Sequence, residues 1–149
     1  MPTDDADVSV PAFMTGTADL DDAELVAAVE GLTLGSDRFR HYDHVRLAWI
    51  LLRGADLEAA TDRMARALRR FAVHHRGDPS RYHDTITRAF MRLVAAHDAA
   101  APAADFPTFA RSNAELFDPR VLGAYYSEAL LGSPDARARW VPPDRRPLP

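Results

Sequence analysis

Phe39-Arg-His-Tyr-Asp-His-Val-Arg-Leu-Ala-Trp-Ile-Leu-Leu-Arg-Gly54 is the stretch on which the fold turns. Its apolar positions Val45, Ala48, Trp49 and Leu52 recur at intervals of three and four, the period of a helix face, and Val45 and Ile50 are its only β-branched residues. A strand would alternate in twos. The run closes on Arg53-Gly54, and Asp56 directly afterwards can cap a second helix. In that next segment Leu57, Met64, Leu68 and Phe71 make an apolar stripe that Gly77 stops, while Asp62 and Arg66 pair at i,i+4 on the outer face.

Working outward, Asp19 or Asp21 can cap a helix over 22–30 that buries Leu25, Val26 and Val29 and stops at Gly31. Downstream, Asp78-Pro79 reads as the start of a helix reaching about residue 99, marked by Tyr82, Ile86, Phe90, Leu93 and Val94. An Ala-Pro loop follows, then expected helices over 107–116 and 118–131 and a last turn from Ser133. Val141 to Pro149 carries four prolines and must be extended. No segment alternates as a strand would. The expectation is an all-α fold: one compact domain of five to seven helices over 19–149, with an acidic arm at 1–18, mobile or draped, and a Pro-rich tail from about 141.

Composition narrows the chemistry. With 149 residues the chain can bury one proper core, and 47% hydrophobic against 27% charged residues is a globular balance. Cysteine is absent, which removes disulfides, thiolate nucleophiles and Cys-held metal clusters. All 18 basic residues are Arg, so Schiff-base lysines and the P-loop lysine are excluded as well. The longest apolar run, Leu47 to Leu52, is far too short to span a bilayer. The first residues are acidic rather than basic, unlike a secretory leader, so the expected location is cytoplasmic. The net charge of −4 argues against nucleic acid as the main partner.

The six histidines differ in setting. His74 and His75 close a helix ahead of Arg76-Gly77, where an imidazolium suits the negative end of the dipole, and His97 reads the same way. His41 and His44 sit at i,i+3 on the apolar side of the first stretch, and His83 lines up with Ile86, Phe90 and Leu93. Two imidazoles one turn apart plus a third from a neighbouring helix can hold one transition metal and leave a position open for water or substrate. The expected site is therefore a three-histidine centre of His41, His44 and His83, with copper or zinc favoured and iron admissible if Asp43 also coordinates. Tyr82, Thr87, Tyr126 and Asp43 are the candidate catalytic residues, with Thr85 and Tyr125 as further groups that could orient a bound molecule. The expected substrate is a small organic molecule, oxidised at copper or iron and hydrated or hydrolysed at zinc. The alternative is a non-catalytic binding or interaction domain, a homodimer among its forms, in which the same histidines are satisfied core residues.

Arg63, Arg66, Arg69 and Arg70 form a basic strip continued by Arg76, Arg81, Arg88 and Arg92, and interspersed Asp residues favour a solvated face over a phosphate site. Arg46 either bridges to Asp43 or receives an anionic substrate. No G-x-S-x-G, G-x-G-x-x-G, Walker or H-E-x-x-H pattern occurs.

The strings Phe39-x-His41-x-Asp43-His44-Val45-Arg46-Leu47-Ala48-Trp49, Tyr82-His83-x-Thr85-Ile86-Thr87, Tyr125-Tyr126-Ser127 and Trp140-Val141-x-Pro143-Asp144-x-x-Pro147-Leu148-Pro149 resemble those of a family of small uncharacterised bacterial α-helical proteins. The resemblance covers roughly residues 20 to 149, and the first string is its most specific part. It implies a single domain and brings no assigned activity.

Overall fold

A computed structural model describes residues 15–149, and none of these is in a strand. Seven α-helices follow in order: α1 (Asp22–Glu30), α2 (His41–Gly54), α3 (Leu57–Arg76), α4 (Asp84–Ala100), α5 (Phe106–Ser112), α6 (Glu128–Leu131) and α7 (Pro134–Ala138). The three longest, α2, α3 and α4, pack against one another, α1 closes over α2 and α3, and α7 lies on α4. α2 is the central element. Tyr42, Val45, Leu47, Ala48, Trp49 and Leu51 are all buried, so most of its circumference faces protein, as expected for a helix apolar on several sides.

Local signals set most of the boundaries. Asp21 and Glu24 close a reciprocal capping box on α1, the Asp56 carboxylate accepts from the Ala59 N–H at 2.8 Å, and Gly77 stops α3 in the left-handed region at φ 64°. Ser127 and Ser133 cap α6 and α7 through the N–H groups of Leu130 and Ala136.

Three expected helices are divided. The segment after Asp78 makes only a 3-10 turn, Pro79–Arg81, before the chain extends at His83 and restarts as α4. The 118–131 segment divides into a 3-10 turn, Pro119–Ala124, and α6, because Tyr126 turns inward and donates to the Val141 carbonyl at 2.8 Å. α5 likewise gives way at Asn113 to a 3-10 turn, Ala114–Phe117.

Both ends of the described chain are tied down. Of the expected acidic arm, residues 1–14 lie outside the described residues. Its last part is docked by Asp43, which accepts from Thr15 Oγ1 at 2.5 Å and Thr17 Oγ1 at 2.6 Å, and from the N–H groups of Gly16 and Arg40 at 2.9 and 3.0 Å. Gly16 is required there, since a Cβ would meet the Arg38 carbonyl oxygen at 2.0 Å. The tail is held by Thr85, whose Oγ1 donates to the Arg139 carbonyl at 2.8 Å and accepts from the Val141 N–H at 3.1 Å. Asp144 adds bonds from the N–H and Oγ of Ser127 at 2.7 and 2.6 Å. Among the described residues no helix is long and apolar enough to cross a membrane.

Candidate functional site

Where α2 begins, α3 ends and α4 begins, the packing leaves two chambers that meet at His44, Leu68, Ile86 and Thr87. The outer chamber, of about 350 Å³, lies between Phe39, Phe71, His75, Arg76, Arg81 and Tyr82. The inner chamber, of about 150 Å³, is walled by Val45, Ala48, Met64, Phe90 and Leu122, with His41 at one side. The outer one is framed by two breaks in the helical chain. The chain leaves its 3-10 turn at Phe39 and is extended at Arg40, directly before α2, and the Gly77 stop followed by the 3-10 turn sends the chain around the end of α3.

His44 is the polar group at the junction. Its ring lies flat on Phe39, with centroids 3.9 Å apart and planes 18° apart, and Phe39 packs edge-on against Phe71. Burial pushes its pKa down to about 4, with help from the nearby His41, while Asp43 and the Phe39 backbone work the other way. His44 is therefore a neutral imidazole at neutral pH.

His41 and His83 are anchored to backbone. The His41 Nε2–H donates to the Leu116 carbonyl at 2.9 Å and its ring meets Phe90 edge-on, which ties the start of α2 to the 114–117 turn. His83 is the N-cap of α4: Nδ1 accepts from the Ile86 N–H at 3.1 Å. That bond fixes the proton on Nε2, which donates to the Leu131 carbonyl at 2.7 Å. Burial lowers the pKa of both rings, partly offset by the carbonyls that receive their N–H groups.

These bonds bear directly on the three-histidine centre. A metal-bound imidazole nitrogen must present its lone pair, yet the lone pair of His83 already receives an amide proton and its other nitrogen is a donor. Among the described residues no group of three or more His, Asp or Glu could hold a metal ion. His41, His44 and His83 do border adjoining chambers, His41 the inner, His83 the outer and His44 both.

The candidate catalytic residues have structural partners. Asp43 makes the four bonds described above, so both of its oxygens serve the arm and the first turn of α2. Tyr82 donates to Asp84 Oδ1 at 2.7 Å beneath the Arg69 guanidinium, and Asp84 also receives Arg69 and Arg88. Burial and the Asp84 carboxylate push the Tyr82 phenol up to about 12. Tyr126, also pushed up to about 12 by burial, holds the tail, and Thr85 does the same. Thr87 borders both chambers but donates its Oγ1 proton to the His83 carbonyl at 2.9 Å. Arg46 turns away from Asp43 to the carbonyls of Thr17 and Leu20 and to Asp22.

His75, read in the sequence as a helix-end charge, and Arg76 and Arg81, read there as part of a solvated basic face, line the outer chamber. The pattern that finds His75 is its i,i+4 spacing from Phe71, which places it on the inner stripe of α3 as well as at its end. The rings of Phe71 and His75 lie 4.3 Å apart, and His75 Nε2 is buried with no hydrogen-bond partner among the described residues. A buried ring nitrogen without a partner costs about 1–3 kcal/mol.

No protein-family model matches the chain, and no curated protein or solved structure matches it.

Proposed function

We propose that this protein is a binding domain for a small organic molecule with an apolar, ring-sized body, taken up in the paired chambers around His44. The observation that carries the reading is their size and lining: about 350 and 150 Å³, walled by aliphatic and aromatic side chains, with a neutral imidazole at the junction. Small-molecule sites have this character, a largely apolar concavity with a few placed polar groups. A dry apolar cavity of about 150 Å³ is the size that admits one benzene ring. The engagement of His41, His83, Asp43, Tyr82 and Tyr126 favours binding over catalysis, because each is committed to a hydrogen bond within the fold: His41, His83 and Tyr126 to backbone carbonyls, Asp43 to the arm and Tyr82 to Asp84.

The test is a thermal-melting titration with phenylethanol and other neutral aryl alcohols, on the wild type and on Leu68→Trp, which narrows the junction. A saturable rise in the melting midpoint of the wild type, absent in a folded Leu68→Trp protein, is the expected result, because a ligand that binds only the native state stabilises it. An unchanged midpoint in the wild type at saturating probe would overturn the reading.

A further inference from the structure

The outer chamber has a chemical polarity that the inner one lacks. Its lining brings together Arg76 in the last turn of α3 and Arg81 from the turn that follows, with the aromatic rings of Phe39, Phe71 and Tyr82. Neither guanidinium makes a hydrogen bond or an ion pair with a described residue. Many of the other arginines are bound up in ion pairs. Arg63 is paired with Glu30, Arg69 and Arg88 with Asp84, Arg46 with Asp22 and Arg120 with Asp118. Asp78, whose carboxyl feels the charge of Arg81, is itself bonded to the N–H and Oγ of Ser80 at 2.9 and 2.6 Å.

Two cations without an ion-pair partner, at the open end of a largely apolar cleft, make a receiving site for a negatively charged head group. We infer that the ligand is an organic anion, an aryl or short alkyl carboxylate, whose carboxylate meets Arg76 and Arg81 while its apolar body passes His44 towards the inner chamber. This inference rests on the binding reading above and specifies the ligand class. A guanidinium receives a carboxylate through two parallel N–H bonds, which gives direction as well as attraction. The inner chamber offers no countercharge, so the anion enters body first.

The experiment compares phenylacetate and hydrocinnamate with their uncharged counterparts, phenylethanol and hydrocinnamyl alcohol, by isothermal titration calorimetry. The full chain is used as wild type and as the Arg76→Gln/Arg81→Gln double variant. The expected result is that at least one acid binds the wild type about tenfold more tightly than its alcohol, and that the double variant loses this preference while still binding the alcohols. Added salt should erode the preference in the wild type, since both guanidinium groups lie at the surface. Equal affinity for acid and alcohol, or a preference for the acid that survives in the double variant, overturns the anion inference and leaves the apolar cleft standing. If neither acids nor alcohols bind, the binding reading itself fails.

Discussion

Replacing His44 by Gln should flatten the acid side of the protein's stability profile. The ordinary imidazole pKa is 6.5 and burial holds this one at about 4, so the folded chain resists a proton that the unfolded chain accepts. Each unit of such a difference corresponds to about 1.4 kcal/mol, and the full gap to about 3 kcal/mol. The direction follows from proton uptake. Above the ordinary value His44 is neutral in both states and the native state suffers nothing. As the pH falls from 6.5 towards 4 the unfolded state binds the extra proton and stability drops, and below about 4 both states are protonated and the loss stops growing. By about pH 4.5 the loss from this residue comes to roughly 2.5 kcal/mol. Urea unfolding of wild type and His44→Gln at about pH 7.5 and about pH 4.5 isolates it, because other titrating groups act in both proteins and cancel in the difference. Equal loss of stability in the two proteins over that interval would refute the placement of a neutral, desolvated imidazole at the chamber junction.

Asp43→Asn should cost about 3 kcal/mol in urea unfolding, since one carboxylate serves four donors and an amide cannot accept from all of them; limited proteolysis should then cut near residues 15–17, and an uncut, fully stable variant would contradict that anchoring. Thr85→Val keeps the shape and removes the hydroxyl that both donates to Arg139 and accepts from Val141, so a loss of about 1–2 kcal/mol is expected, with faster amide exchange in the tail. An unaltered tail would mean that Tyr126 and Asp144 hold it alone. Zinc or copper should leave the melting midpoint of the untagged protein unchanged, because both His83 nitrogens are committed to backbone groups; a stoichiometric rise abolished by His83→Ala would restore a histidine-held metal.

The helical class was legible because the evidence for it is local and repeated. The three-four spacing of Val45, Ala48, Trp49 and Leu52, the Asp56 cap and the Gly77 stop each depend on a few neighbouring residues, and each stands in the structure. The divided helices were harder to read, since what divides them is distant in sequence: Tyr126 turns inward to reach Val141, and Ser127 caps a new helix while bonded to Asp144. The same limit governs the site. Spacing placed His41, His44 and His83 towards the interior, and all three do border the chambers. It carried no information about the carbonyls of Leu116 and Leu131, each far along the chain, that take up two of the rings. His75 shows the converse case. Its position at the end of α3 suggested a helix-end charge, while its offset of four from Phe71 already put it on the face that borders the outer chamber.

The most direct test of the binding account is a heteronuclear NMR titration of the full chain with phenylethanol, following the imidazole of His44 and the backbone signals of Ile86 and Thr87. The account predicts that these three move together and saturate, with the edges of Phe39 and Phe90 sensing the bound ring. Signals at the junction that stay fixed while any changes collect in the distant groove beside Trp140 would contradict it.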